Sequence, residues 1–523
     1  MKYIMKKFIC FTVVCVMLCA VAPVYAADIE MSAIRNYLGR SNAANDDETY
    51  AIGWERISVS WNSIQPRMGR TDENELKKIQ TRISNARKQE KNVLLMLETP
   101  AAWAINRGQY SFERNGVNYI IGPMKGIKYG QMFRDLTVFS DDGTSATDEV
   151  ITNMDAVLLN ERYTSAWVDF AKLIGETFKN DVDYIQIFDE PFGSLENFYG
   201  SEEQFMQGIH KPAAEALKEL GYKIVIGGLP NSYDIDKFLG LLDKTEAWQT
   251  VDVFNLYYAP MGSMNYLYEQ LTAREIEHPS IWQTETGANS TAFIPNFYMR
   301  AFQWALARQS ETNPNQFKLF WAESLPDGSQ ALLSDNNFET NYGKAISLMY
   351  QLFNGKTIEV FENAKTKYSL KPEIFENISA AEMFLVDGKK VVIATHMIMQ
   401  NTSGTFSAHD GDSLHMGFSN SFVDMEVHGV PADANVSVKR FTVFGVSWNL
   451  YTERGSDGQY LFTVAVPDDL LAPATNLSET AEALMANRSD KTTTFYAVFE
   501  SDKEIQGGLL TPALASSKRG GTQ

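Results

Sequence analysis

The sequence predicts a (β/α)8 barrel followed by a smaller all-β sandwich, and three observations predict it. Strand-like and helix-like segments alternate from residue 27 to about 355, the pattern of a parallel sheet wrapped by helices. Polar and aromatic residues stand at the C-terminal ends of many of those strands, the face on which barrels build their sites. From 356 to about 510 the period changes to short alternating runs separated by Gly, Asn, Asp and Ser, which reads as a sandwich.

The elements follow in order. Lys2, Lys6 and Lys7 precede an apolar run over 8–21, and Val24 and Ala26 offer small residues for cleavage before Ala27. That is the grammar of a secretory signal peptide over 1–26, so the protein is expected to be secreted or periplasmic. The run of ~14 residues is short of the ~20 that a membrane span takes. Cys10, Cys15 and Cys19, the 3 cysteines of the chain, all lie in it. The mature chain therefore has no disulfide, thiol nucleophile or Cys-ligated zinc.

In the barrel, 27–355, a first strand is expected near 29–34. Residues 55–61 (ERISVSW) read as a strand, 74–90 as a polar helix and 93–98 (VLLMLE) as a buried strand stopped at Thr99-Pro100. A loop-rich insert covers 106–155. A helix over 161–179 leads to a strand over 182–190 (VDYIQIFDE), which Pro191 stops. A helix over 203–220 precedes a strand over 223–226 that ends in Gly227-Gly228. Strands over 251–258, 280–285 and 317–322 follow, with helices between them and a last helix over 342–353. The sandwich, 356–510, takes its strands from 390–394, 423–427, 436–443, 460–466 and 494–499. A flexible tail is expected over 511–523.

Charge excludes some functions. Acidic residues number 65 against 46 basic, a formal net charge of −19, which argues against binding nucleic acid or a polybasic membrane attachment. Aromatics reach 12%, a surplus that suits flat-faced ligands such as sugars. The sequence carries no signal of oligomeric state.

Two carboxylates stand out by position. Glu190 ends the strand YIQIFDE and Glu285 ends IWQTE, so both belong at one rim of a barrel. Side chains alternate along a strand, which places Gln186, Phe188 and Glu190 on one face. A carboxylate pair flanking one bond is what glycoside hydrolysis requires. Either Glu alone also fits a cap for the following helix.

The residues then carry a family resemblance. Glu55-Arg56-Ile57-Ser58-Val59-Ser60-Trp61, with Ile64-Gln65-Pro66 and Gly69, resembles the second-strand motif of the clan A retaining glycoside hydrolases. Thr99-Pro100-Ala101-Ala102-Trp103-Ala104 resembles the third-strand motif of their β-xylosidase-type members. Phe188-Asp189-Glu190-Pro191 resembles the fourth-strand N-E-P, Tyr257-Tyr258 the sixth-strand His-Tyr and Thr284-Glu285-Thr286-Gly287 the seventh-strand T-E-x-G. Phe320-Trp321 resembles the eighth-strand Trp. The match covers most of 51–327.

The resemblance implies roles. Glu190 would be general acid and then general base, and Glu285 the nucleophile. Arg56 would hold the nucleophile ionised, and Tyr257 or Tyr258 would donate to it. Trp103 and Trp321 would stack on sugar faces. No cofactor and no metal is implied, and the partner is a carbohydrate substrate. Asp189 stands where the family has Asn, and Tyr257 where His is common. An Asp accepts hydrogen bonds and cannot donate, which implies an altered sugar contact or a barrel that binds sugar without cleaving it. A non-catalytic carbohydrate-binding protein and a transglycosylase therefore stay open as alternatives. The sugar, endo or exo action and the role of the sandwich also stay open.

Other apparent motifs point elsewhere. Gly411-Asp412-Ser413-Leu414 matches the opening of an esterase signature, but it lies in the strand-rich part. His409-Asp410-Gly411-Asp412 with His415 reads as a solvated turn. Glu98 and Glu323 are further acids near strand ends, outside any matching motif.

Overall fold

The computed structural model describes residues 33–507, except for 42–49, 99, 105–109, 115–116, 122–137, 141–145, 148–163, 193–197, 199, 289–290, 292, 324–329, 335–337, 356, 362–363, 370–374, 402–421, 466–471 and 474–490. Residues 1–26, 411–414 and 511–523, for which a signal peptide, a chance motif and a tail are expected, lie outside the described residues.

Eight parallel strands close a barrel. They are β1 (Leu38–Ser41), β2 (Trp54–Ser60), β3 (Asn92–Glu98), β4 (Tyr184–Ile187), β5 (Lys223–Ile226), β6 (Val253–Tyr257), β7 (Ser280–Thr286) and β8 (Phe317–Ala322). Each pairs in parallel with the next, and β8 pairs with β1 to close the ring. Helices cover the outside. The helix Glu73–Lys88 shows why they form where they do. Asp72 caps it by accepting from the amides of Asn74 and Glu75, and Leu76, Ile79, Ile83 and Ala86 bury one stripe.

Two strand expectations are corrected. The first barrel strand is Leu38–Ser41 and is preceded by a short helix, Ala33–Tyr37, which overlaps the end of the expected 29–34; residues 29–32 lie outside the described residues. The fourth strand stops at Ile187 rather than running to Glu190. Phe188 takes a left-handed backbone, φ +69°, which a bulky residue adopts only at a cost of roughly 1–2 kcal/mol. That kink breaks the alternation, so Gln186, Phe188 and Glu190 do not share a face. The Phe188 ring packs outward against Phe198 and Phe205.

The barrel is filled at its N-terminal end. Trp54, Leu94, Tyr184, Val225, Val253, Trp282 and Phe320 form a closed floor, with the Trp54 and Trp282 rings 5.1 Å apart and edge-on. The insert over 106–155 is not only loop. Four short strands between Tyr110 and Thr147 form an antiparallel sheet of their own. The missed signal was Asn115-Gly116 between two alternating runs, a hairpin dipeptide.

The all-β part consists of two antiparallel sheets. One runs in the order β9 (Ile358–Val360), β11 (Phe375–Val386), β12 (Lys390–Asn401), β17 (Lys491–Ser501), β14 (Val436–Thr442) and β15 (Ser447–Leu450). The other contains β10 (Ala364–Ser369), β13 (Phe422–Val427) and β16 (Tyr460–Ala465). The first sheet serves two cores by strict alternation. Leu385, Val391, Ile393, Phe495, Ala497 and Phe499 face the second sheet. Phe384, Val386, Val392, Ala394, Tyr496 and Val498 join the core of the barrel.

Candidate active site

Arg56 is the buried centre of the site. Trp54 lies in the barrel floor, so alternation along β2 turns Arg56 inward one layer above it. Only 2% of Arg56 is exposed, and a buried guanidinium needs close acceptors. Nη2 donates to Glu285 Oε1. Nη1 donates to the Tyr257 hydroxyl at 2.5 Å and lies 3.6 Å from Asp189 Oδ1. Burial alone would lower the pKa of Arg56. Tyr257, Glu285 and Asp189 outweigh it, and the pKa is raised.

Glu285 reaches Arg56 because β7 is irregular. Trp282 points into the barrel floor and Thr284 also points inward, so regular alternation would send Glu285 out to the helices. Between β6 and β7 the register steps from Leu256↔Gln283 to Tyr257↔Glu285. The extra residue is a β-bulge, which re-aims the next side chain. Sequence reasoning placed Glu285 at the rim but had no signal for the bulge that turns it inward.

Asp189 and Glu190 arrive by the kink after β4. The Phe188 amide still donates to Leu97 O at 2.8 Å, and the Asp189 carbonyl accepts from the Gly228 amide at 2.5 Å. Gly227 and Gly228 are required there. A Cβ on Gly227 would lie 2.6 Å from the Pro191 ring, and one on Gly228 2.4 Å from the Tyr257 ring. The Tyr257 hydroxyl donates to Asp189 Oδ1 at 2.5 Å, so in this structure its proton goes to Asp189, not to Glu285. Burial raises the pKa of Tyr257, and Arg56 opposes that shift.

Tyr258 marks the mouth. It is 42% exposed, and its left-handed backbone, φ +49°, goes with an amide that donates to the Glu285 carbonyl at 2.9 Å. Burial of its ring edge first, then Glu285, and further Asp189 and Glu190, raise the pKa of its phenol, while Arg56 lowers it. Three carboxylates, two from the segment after β4 and one from β7, thus raise the pKa of one hydroxyl.

The two expected sugar platforms differ. Trp103 is half-buried on the segment after β3, with its indole nitrogen donating to Gln65 O at 2.8 Å and its ring edge-on to Trp61. Trp321 is fully covered, at 0% exposure. Phe320 takes the inward position on β8, so Trp321 faces the helices, packs on Tyr298 and Tyr342 and donates to Gln330 O. A stacking platform must show a ring face, and that of Trp321 is hidden. Glu323 is turned to Arg40, 3.5 Å away, and burial raises its pKa against the pull of Arg40. Glu98 is half-buried at the end of β3. Among the described residues no group of His, Cys, Asp or Glu is arranged to hold a metal ion, and no helix is long and apolar enough to cross a membrane.

No family model matches the chain, and no curated protein matches it. Among solved structures it is similar to a GH30 endoxylanase from Clostridium papyrosolvens C71, at 13% identity and TM-score 0.47, covering 90% of this chain and 98% of that one. It is also similar to a family 39 glycoside hydrolase from Bacteroides cellulosilyticus WH2, at 11% identity and TM-score 0.47, covering 90% and 82%. A third is endo-glycoceramidase II from Rhodococcus sp., at 11% identity and TM-score 0.38, covering 89% and 96%.

Proposed function

We propose that this protein is a retaining glycoside hydrolase of the clan A type, exported through residues 1–26. One observation carries the reading. Buried Arg56 donates to Glu285 on β7 of a closed parallel barrel, and Glu190, three residues past β4, raises the pKa of the Tyr258 phenol together with Glu285, which supports a carboxylate pair at one mouth. Glu285 attacks the anomeric carbon while Glu190 protonates the leaving oxygen. A glycosyl-enzyme forms, and Glu190 then takes a proton from the water that releases it. Arg56 donates to the nucleophile and holds its carboxylate in place. Tyr258 and Trp103 offer partly exposed rings for the sugar at the mouth.

The test is an assay of the mature protein on a panel of aryl glycosides and polysaccharides, beside Glu190→Ala and Glu285→Ala. Turnover on one sugar, lost in both variants and recovered by azide in Glu190→Ala, is the expected result. Activity untouched by both substitutions would sink the assignment. Retention further expects carboxyl oxygens about 5–5.5 Å apart in a ligand complex, where inversion needs ~6.5–9.5 Å. For export, N-terminal sequencing of protein collected from a secreting host is expected to begin at Ala27. Intact residues 1–26 on the product would contradict it.

A further inference from the structure

We propose that Gln186 is a positioning residue, which commits the Tyr257 hydroxyl proton to Asp189 and thereby keeps Asp189 a hydrogen-bond acceptor at the mouth. The Tyr257 hydroxyl has three neighbours: Arg56 Nη1 at 2.5 Å, Gln186 Nε2 at 2.9 Å and Asp189 Oδ1 at 2.5 Å. A guanidinium and an amide nitrogen only donate, and a phenol has one proton and two lone pairs. With both lone pairs filled, the proton has one place to go.

The direction depends on which way the Gln186 amide points, and the Phe188 carbonyl, which can only accept, fixes it. Its Nε2 also lies 2.9 Å from the Phe188 carbonyl oxygen, and its Oε1 lies 3.0 Å from Thr284 Oγ1. A flipped amide would set oxygen against the Phe188 oxygen. Asn255 anchors the far end. Its Nδ2 donates to Ile226 O at 3.2 Å and its Oδ1 accepts from the Thr284 amide at 3.1 Å, while the one Thr284 hydroxyl proton has two acceptors at 3.0 Å, Asn255 Oδ1 and Gln186 Oε1. Gln186, Asn255 and Thr284 are each 0% exposed, so bulk water does not compete with these bonds. The Phe188 carbonyl is presented by the same left-handed kink that delivers Asp189 and Glu190. Gln186 therefore ties the shape of that kink to the direction of the hydrogen-bond chain. If the glycosidase reading holds, a sugar group that meets Asp189 must donate, which selects a hydroxyl or amine over a carboxylate.

A double-mutant cycle on the full mature chain tests this. Gln186→Met keeps the volume and removes the amide. It is expected to lower kcat by up to about 100-fold, with a smaller change in KM. In a Tyr257→Phe background the same substitution is expected to cost less than about 2-fold, because its effect passes through the missing hydroxyl. Equal losses in both backgrounds would overturn the proposal. A second readout needs no turnover. The proton of the short Tyr257–Asp189 bond is expected as a downfield proton resonance, absent in Tyr257→Phe and displaced or lost in Gln186→Met. An unchanged resonance in Gln186→Met would equally overturn the proposal, whatever the protein hydrolyses. If thermal melts show Gln186→Met unfolded, Gln186→Glu serves in its place. It has the same size, and its carboxylate draws the proton away from Asp189.

Discussion

Arg56 concentrates the site's energetics in one side chain. It meets Glu285, Tyr257 and Asp189 with almost no exposure. Arg56→Met leaves those carboxylates without the cation between them. The expected cost is about 3–5 kcal/mol of stability, read from urea unfolding, together with loss of turnover. Arg56→Lys is expected to keep the charge but lose turnover, since one ammonium cannot reproduce the fork that reaches Glu285 and Tyr257 together. Gly228→Ala tests the packing beside this group. Its methyl would land 2.4 Å from the Tyr257 ring, with an expected cost of about 1–3 kcal/mol. An unchanged urea midpoint would mean that the ring has room to move. Arg56, Asp189, Glu190, Tyr257 and Glu285 stood out in the sequence because each lies in a short motif, all but Arg56 at or just past the C-terminal end of a strand. Gln186 was not: a Gln inside a strand looks like any polar residue until its partners arrive from β6 and β7.

At the scale of elements, irregularities aim the side chains. The bulge in β7 turns Glu285 inward, and the kink at Phe188 ends β4 two residues before Asp189–Glu190 would continue it. Alternation from sequence assumes regular strands, so it misjudged the face of Phe188, whose ring packs outward. The sheet that packs on the barrel carries a different consequence. Glu382 on β11 is buried against Arg300, 3.8 Å away, and burial pushes its pKa from 4.5 up to about 8, against the pull of Arg300. The folded state thus keeps a proton that the unfolded chain sheds near pH 4.5. This stabilising contribution is full below pH 4.5 and falls away as pH rises to about 8. At ~1.4 kcal/mol per pKa unit the full swing is about 5 kcal/mol. Glu382→Gln is expected to flatten it, so the Tm of the variant relative to the parent rises between pH 5 and 8. A constant Tm difference across that range would refute the assignment.

Across the whole molecule, one sheet joins two cores. Phe384 packs between Phe302 and Phe353 of the barrel helices, at 5.8 and 4.8 Å between ring centroids, while its neighbour Leu385 faces the other way. Barrel and sheet are therefore expected to unfold in a single calorimetric transition. Phe384→Ala is expected to lower the stability of both together by about 3–5 kcal/mol. Two separated transitions in the parent protein would contradict the shared core. The alternating runs announced strands, and their period announced two faces. Nothing in them said that one face belongs to the barrel, because an apolar side chain carries no address for the surface it covers.

By itself the sequence determined the kinds of element and their order. Hydrophobic period, caps and turn residues are local properties, and β5, β8 and the helix over 73–88 followed from them closely. It also determined that acids and aromatics would gather at strand ends, because position along a parallel strand translates directly into height in a barrel. Only the tertiary structure decided which of these side chains meet. Trp321 turned to the helices, and Gln186 joined the chain of hydrogen bonds. Asp189 accepted the hydrogen bond of the Tyr257 hydroxyl. Each of these depends on bulges, kinks and register between strands tens of residues apart, where a shift of one position reverses the face a side chain presents.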